Sequence, residues 1–540
     1  MPHSYDILII GGGHNGLVAA AYLAQAGKTV LVLEKRHLIG GAAVTEEINP
    51  GFKYSVCSYV VSLLRPEIIR DLQLAKHGLT ILPLPSTFSP LPNGDYLAQW
   101  DDHDKTRREI YRHSPRDAEA YADYGRAMLQ MARAIKPILN MIPPDITSLR
   151  PRDLYGLARL GNHFRQLDEE KFYAIFKLMT MSAADFLAEW FEYEPLKATK
   201  SASGIIGTYL GPRSPGSAYV LLHHYMGEID GTFRAWGFAK GGTGAISEAI
   251  AGAARSAGAE IRCNAGVAQV IVKNGAAVGV ALADGEEIYA KVIVSGLDPK
   301  RTFLKLIDSK ELPTDFLADI RRYKIHGSSG KVNLSLSELP KFTALAQNQS
   351  RLLAPPEAFL RGAISISPSL DYLERAYDDA KYGNFSRQPY LDVIIPSLID
   401  PQMAPPGKHV MSIFVQYAPY QIQGGWDDAK REAFGEAVIN TLAEYAPNLK
   451  SAILHRQVLT PFDIENLLGL TEGNIFQGEL LLHQLFFLRP APGWADFRTP
   501  LRGFYQCGSG THPGGGIMGA SGRLAALEIL KDARDTTPHA

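Results

Sequence analysis

Gly11, Gly13 and Gly16 stand between an unbroken apolar run, Ile7 to Ile10, and a helical stretch, Leu17 to Ala26, that Gly27 ends. A second apolar run, Thr29 to Leu33, finishes in Glu34. Each residue type at that spacing has a task in holding a dinucleotide. The first glycine makes a tight turn, the second lets backbone approach a pyrophosphate, and the third lets helix and strand pack closely. Unpaired N–H groups at the helix start face the phosphates. The carboxylate accepts the hydroxyls of an adenosine ribose. A glycine-rich turn in an ordinary α/β domain is the plainer alternative. Strand, helix, strand and acid occurring together favour the nucleotide.

Past Glu34 comes a second glycine pair, Gly40-Gly41, followed by Ala42 and Ala43. A plain nicotinamide site does not need it. A flavin dinucleotide does, because its pyrophosphate and ribityl chain run further along the protein and backbone N–H groups must reach them; a simple loop turn is the alternative. Near the C-terminus a short apolar strand, Gly503 to Cys507, leads into a glycine-rich loop through Gly508, Gly514, Gly516 and Gly519, then a helix, Ala520 to Lys531. The last three glycines formally repeat the first motif. Thr511-His512-Pro513 intervene after the strand, however, and no acid-ended strand follows. The loop reads instead as a helix N-terminus facing the isoalloxazine, where its dipole stabilises negative charge on a reduced ring.

The elements that must position these motifs are of α/β type. From His103 the pattern turns helical, with Ala118, Tyr121, Tyr124, Met128, Met131 and Ile135 spaced along one face of a helix expected from Asp117 to Asn140. Further helices are expected at 153–167, 169–179 and 183–191. Gly241-Gly242-Thr243-Gly244 opens another helix. Three strands follow, separated by Asn274-Gly275 and Asp284-Gly285, which are hairpin turn signals. Strands at Lys331–Leu336, Ala363–Ile366, Tyr390–Ile395 and His409–Gln416 and a helix at Glu432–Tyr445 mark a second domain. The expected division is 1–100, first part of the nucleotide domain; 101–213, helical cap; 214–299, second part of the nucleotide domain; 300–490, substrate domain; and 491–540, C-terminal part of the nucleotide domain.

Composition narrows the function classes. The 540 residues allow several domains, and 46% hydrophobic with 21% charged residues describes a globular protein. A net charge of −1 argues against nucleic-acid binding, which needs a basic face. Cys57, Cys263 and Cys507 lie far apart with no CxxC, so neither a redox disulfide nor a zinc knuckle is encoded. No histidines stand in HxH or HxxxH spacing, and no metal is expected. Without a run of apolar residues long enough to span a bilayer, or a recognisable leader after Met1, a cytoplasmic setting is expected. Arg150 to Leu167 carries Leu154, Leu157, Leu160, Phe164 and Leu167 on one side, and Arg150, Arg152 and Arg159 mostly on the other. A basic amphipathic helix can lie on an anionic membrane, which leaves peripheral membrane contact open. A cap helix packed on its neighbours is the plainer reading.

Taken together, Gly11 to Gly16 with Glu34 and Gly40-Gly41, Gly241 to Ala245 with the following strands, and Cys507 to Gly516 resemble the phytoene desaturase family of FAD-dependent oxidoreductases, relatives of the flavin amine oxidases. Phe52 to Ser55, Ser62 to Pro66, Tyr219 to His224 and Gly473 to Phe476 are similar to its branch of pyridine nucleotide-disulphide oxidoreductase domain-containing proteins. Carotenoid ketolases of cyanobacterial type share much of the pattern. The resemblance covers essentially the whole chain. It implies a Rossmann-type FAD-binding domain with a β-meander, a mixed-sheet substrate domain and a helical cap. It further implies one FAD, held by Gly11, Gly13, Asn15, Gly16, Glu34, Lys35, Gly40, Gly41, Ala42 and Ala43. Val267 would sit by the adenine, with Gly508, Gly516, Ile517 and Met518 along the flavin and the loop Ser55 to Ser58 near its ring. His224 and His512 fall in family-like segments near the expected flavin face and are the candidate catalytic bases; a histidine bonded to backbone is the alternative for each.

The implied function is an FAD-dependent dehydrogenase, desaturase or oxidase acting on a hydrophobic, carotenoid- or lipid-like molecule through an apolar channel. The rival reading is a flavoprotein that acts mainly by binding partners, as an assembly factor for a respiratory or membrane complex. An enclosed apolar tunnel reaching the flavin favours the first, and a filled or blocked flavin face the second. Oligomeric state is not encoded in any motif.

Overall fold

Tyr5–Ile10 is an inner strand because its last four residues are apolar and buried on both faces. In the computed structural model, which describes residues 5–535 apart from Asp230 and Arg234, it pairs in parallel with Val30–Leu33 on one side and with the C-terminal half of Glu287–Ser295 on the other. Glu260–Arg262 lies outside Val30–Leu33. The sheet forks at Glu287–Ser295. The early residues of that strand pair antiparallel with Ala276–Leu282, which pairs in turn with Val267–Lys273. Its final residues pair in parallel with Phe504–Gln506. The Asn274-Gly275 turn holds both residues at positive φ, 52° and 71°, the mirror-image turn that matches the twist of paired strands. Helices His14–Gln25, Gly244–Ser256 and Ala520–Asp535 share one apolar core on this sheet. The beginning, middle and end of the chain thus build one Rossmann-type domain with its β-meander.

The second sheet runs in the order Ile453–Leu459, Ser329–Leu336, His409–Gln416, Tyr390–Ile394, Ala363–Ile366, Ser86–Pro90, Tyr96–Trp100. It is mixed, since Ala363–Ile366 lies parallel to Ser86–Pro90. Alternation gives its two faces different characters. Val332, Leu334, Ile364, Val393 and Ile413 join Phe434 and Val438 of the helix Asp428–Ala443 in a core. The intervening residues Lys331, Asn333, Ser335, Ser365 and Ser412 are polar, yet they are buried too.

Two boundaries of the expected division do not follow these sheets. Ser86–Pro90 and Tyr96–Trp100 fall in the stretch expected of the nucleotide domain but pair within the second sheet. Ser217–Tyr225, expected beyond the helical cap, is a helix packed against Pro115–Ile135, Glu169–Thr180 and Ala183–Ala188. Every one of its residues is buried, so it shows no amphipathic stripe to signal a helix. Pro115–Ile135 itself starts where the Ser114 hydroxyl accepts from the Asp117 N–H at 3.1 Å. Its buried face carries the residues named from the periodicity.

Pro151–Arg165 is packed only in part. Leu160, Phe164 and the following Leu167 lie against the helical core, but Asp153 is the one buried residue of the helix. Among the described residues no helix is long and apolar enough to cross a membrane.

Candidate active site

The glycines set the geometry of the nucleotide cleft before any side chain does. A Cβ at Gly16 would lie 2.4 Å from the Gly11 carbonyl oxygen, so helix and strand approach this closely only with glycine there. A Cβ at Gly13 would meet nothing within 4 Å; it would project into the cleft. The Gly40 N–H donates to the Gly12 carbonyl at 2.9 Å, which lays the second glycine pair beside the first. Behind it the Ser247 hydroxyl donates to the Ala43 carbonyl at 2.8 Å, and the Gly244 N–H donates to the Thr45 hydroxyl at 3.0 Å. The Gly241–Ala245 motif is therefore a buttress for that loop.

Glu34 accepts from the Gly12 and Arg36 N–H groups, each at 2.8 Å and on different carboxylate oxygens. Both oxygens keep lone pairs for further donors. The cleft, about 1170 Å³ in volume, brings together Gly11, Gly13, Asn15 and Gly16, then Glu34 and Lys35, then Gly40, Gly41 and Ala42, with Val267 from the meander. The helix His14–Gln25 starts with no side-chain cap and no acid in its first turn. Asn15 donates to the Ser509 hydroxyl at 3.1 Å, tying this end to the tail loop. Its Oδ1 and the His14 Nε2 are buried without a partner among the described residues.

Ile475 lines both this cleft and an inner chamber of about 690 Å³. The inner chamber has Tyr59, Leu63, Trp236, Phe414 and Phe476 for walls, and Gly516 and Ile517 of the tail loop at its edge. Cys57 and Ser58 of the expected loop also line it. An outer chamber of about 1370 Å³ adjoins it, with Val60, Ile206, His224 and Trp236 in the wall of both.

Lys331 is the unexpected member. It stands opposite Phe414, which stands opposite Asp392, so three strands carry these residues on one face. The Lys331 Nζ is buried without a hydrogen-bond partner among the described residues, 4.2 Å from the centre of the Tyr59 ring. Burial lowers its pKa to about 7. The Tyr59 hydroxyl donates to Asp392 at 2.5 Å. Burial raises the Asp392 pKa to about 6, against that hydrogen bond and the nearby lysine. The strand expected to begin at Lys331 begins at Ser329, which moves the lysine from an end to the interior. A lone lysine or aspartate inside a buried strand was the available signal.

His224 lines both chambers. Its Nδ1 donates to the Val220 carbonyl at 2.9 Å, and its ring stacks on Trp236 with centroids 5.8 Å apart. Burial lowers its pKa to about 4, so it is neutral at neutral pH. His512 stands elsewhere: its Nε2 meets the Ile138 carbonyl at 3.1 Å and its ring meets Phe486. The expectation that it faces the reacting ring is corrected accordingly, because the loop turns this side chain toward the cap residues. Met518 packs in the helical core and Ala43 in the nucleotide-domain core, each away from the cavities. Gly508 packs against the Gly296 carbonyl, where a Cβ would approach to 2.7 Å. The neighbour of His224, His223, reaches the tail loop instead, with Nε2 3.3 Å from the Gly515 carbonyl.

One further residue holds the tail loop. Arg489 is fully buried, and its guanidinium donates to the carbonyls of Phe476, Glu479, Gln484, Ser509 and Thr511 at 2.7–3.3 Å. It clamps the segment that carries Phe476 onto the glycine loop.

The arrangement fits an adenine dinucleotide bearing a flavin. Glu34 would hold the ribose, Gly13 with the uncapped helix start the pyrophosphate, and the edge formed by Ser58, Gly516 and Ile517 the ring. The unpartnered Asn15 Oδ1 and His14 Nε2 give such a group polar contacts to complete. Comparison with known proteins agrees. The model of flavin containing amine oxidoreductases matches residues 16–530. Pyridine nucleotide-disulfide oxidoreductase domain-containing protein 2 of Rattus norvegicus is 41% identical, over 98% of this chain and 94% of that one. A subunit of the limonene dehydrogenase of Castellaniella defragrans is 30% identical over the same shares. Among solved structures, cyclohexylamine oxidase from Brevibacterium oxydans has the same fold, with a TM-score of 0.57 and 18% identity over 98% of this chain and 100% of that one. Here Cys57, Cys263 and Cys507 are all free, so the disulfide in the rat relative's name has no counterpart. With its family model matched nearly end to end and a cleft shaped for the cofactor, the chain belongs to the flavin-containing amine oxidoreductases and is an FAD-dependent oxidoreductase.

Proposed function

We propose that the protein is a dehydrogenase, desaturase or oxidase of a hydrophobic small molecule, isoprenoid- or lipid-like, whose reacting part lies in the inner chamber. The observation that carries this reading is the wall of that chamber, aromatic and aliphatic apart from Lys331, His224 and a few small polar groups. FAD, when bound, supplies the hydride acceptor. The chain's own residues shape the reaction in three ways. Tyr59, Trp236, Phe414 and Phe476 exclude water and orient an apolar substrate. Lys331, with a pKa near neutrality, can hold or release a proton at Nζ inside the chamber. Neutral His224 contributes a polar edge without a charge. A relative at 30% identity is named for limonene, a hydrocarbon, which supports an apolar substrate. The apolar, unfilled inner chamber supports an enzyme over a protein that only binds partners. The test is anaerobic flavin bleaching by isoprenoid, quinone and lipid extracts. Bleaching by an apolar fraction is expected; bleaching by hydrophilic fractions alone refutes the reading.

We also propose peripheral contact with an anionic membrane through Pro151–Arg165 and Glu169–Thr180. Leu149, Tyr155 and Phe176 are 84%, 71% and 65% exposed, and the Phe164 and Phe172 rings join the two helices. Arg159 and Arg165 beside them are exposed and form no ion pair among the described residues, and Arg150, also exposed, lies near Asp153. Exposed aromatics next to unpaired arginines suit a lipid headgroup region.

A further inference from the structure

The outer chamber adjoins the inner one, yet its chemistry is different. Across the second sheet, Gln99 stands opposite Thr87, Thr87 opposite Ala363, and Ser365 opposite Asp392. Gln99, Thr87, Ser365 and Asp392 all line the outer chamber, together with Thr199 and Ser203 of the cap. The other face of the same strands is apolar, with Ile364, Val393 and Ile413 in the core. Several of the polar groups already have one partner, Ser365 with the Ser367 hydroxyl at 2.8 Å and Asp392 with the Tyr59 hydroxyl at 2.5 Å, and each keeps capacity for a further hydrogen bond.

We infer that the outer chamber receives a hydrogen-bond-donating head, hydroxyl or amino, on a substrate whose apolar part occupies the inner chamber. This rests on the inner chamber being the reaction site, as proposed above. Val60, Ile206, His224 and Trp236 line both chambers, so the two spaces adjoin and the inference places one molecule across them. Charge selects the class of head. Asp392 stands in the wall and Asp101 lines the same chamber at the surface, beside the exposed His103. Among the described residues the cations around the chamber are engaged: Lys200 by the Gln99 side-chain oxygen at 2.5 Å and the Tyr121 hydroxyl at 3.3 Å, Lys105 over the Trp100 ring, and Lys136 by Glu228 beside Phe233; Lys331, past Phe414 from Asp392, lines the inner chamber. A carboxylate or phosphate head would meet the carboxyl groups of Asp392 and Asp101 in the chamber wall. A hydroxyl or amino head would donate to Asp392 and exchange hydrogen bonds with Thr87 and Ser365. The substrate is therefore amphipathic rather than a bare hydrocarbon.

The FAD-loaded protein tests this with a matched series of equal chain length: n-alkane, primary alcohol, primary amine and carboxylate. Binding is read from perturbation of the flavin absorbance. The alcohol and amine are expected to bind about tenfold or more tightly than the alkane, the worth of one or two good hydrogen bonds, and the carboxylate more weakly than the alcohol. Thr87→Val with Ser365→Ala should bring the alcohol close to the alkane. Asp392→Asn should reduce the amine more than the alcohol, which separates the two heads. Equal binding of alkane and alcohol by the parent protein overturns the inference while the inner chamber stands as the apolar site. Failure of every member to perturb the flavin overturns the proposed function and this inference together. The parent series needs no variant, so a misfolded variant does not decide the matter.

Discussion

Where Gly11, Gly13, Gly16, Gly40 and Gly41 meet, the nucleotide cleft is walled by backbone, whereas the two chambers are walled mainly by side chains. In the cleft, glycines bring N–H groups and carbonyls close, as where Gly40 bonds to Gly12. In the chambers, Lys331, Phe414, Asp392 and Ser365 form a row across four strands that are far apart in the chain. A site made of backbone depends on a few residues that cannot be anything else. A site made of side chains can change its chemistry at any position while the sheet survives. One fold can then keep its cofactor and vary its substrate.

The largest expected effect comes from breaking the join between the two regions. Arg489→Met leaves several buried carbonyls without a donor, at about 1–3 kcal/mol for each one left unpaired. A thermal melt should show a large loss of stability, and flavin retention should fall with it. A variant with the parent's melting temperature shows that the tail loop holds itself.

The glycines sharpen the contrast within the cleft. Gly16→Ala forces a methyl against the Gly11 carbonyl and should cost the apoprotein about 1–3 kcal/mol. Gly13→Ala meets no protein atom, so apoprotein stability should change by no more than about 0.5 kcal/mol while FAD affinity falls. Equal behaviour of the two in apoprotein melts and FAD titration would refute the backbone cradle. Glu34→Ala should then weaken FAD binding by about 1.5–3 kcal/mol, the range for a charge-assisted hydrogen bond, without altering the chambers.

Lys331 tests the other region. Its pKa falls from an ordinary 10.5 to about 7 in the fold. Between those values the unfolded chain holds a proton that the native state lacks, so native stability rises as pH climbs from 7 toward 10.5. Lys331→Met should therefore be more stable than the parent at pH 7, with the difference shrinking toward pH 10.5 in denaturant titrations. It should also lose any limb of the pH–rate profile near 7, and a limb that persists assigns that proton elsewhere. The smallest effect is expected at the surface. Arg159→Gln should weaken sedimentation with phosphatidylserine vesicles by about 1 kcal/mol, and unchanged sedimentation removes this arginine from the membrane face.

Much of the cleft was legible because its signals are local. Gly11, Gly13, Gly16, Glu34 and the Gly40-Gly41 pair act within one short stretch of chain. Asn274-Gly275 declares its turn by residue type alone. Ala363–Ile366 and His409–Gln416 were legible as strands, with the bounds the structure shows. Ser217–Tyr225 was not legible as a helix, because burial on every side erases periodicity. The membership of Ser86–Pro90 in the second sheet was hidden for another reason: its partner, Ala363–Ile366, lies far along the chain.

The sequence by itself determined the α/β class, the dinucleotide fingerprint and the flavin, since turns, caps and glycine geometry are set by neighbours in the chain. Only the tertiary structure decided that Lys331, Tyr59 and Asp392 meet, that His224 faces the chambers while His512 does not, and that an apolar chamber adjoins a polar one. Those facts depend on strand register and on which face of a sheet is covered. Contacts between distant segments settle both.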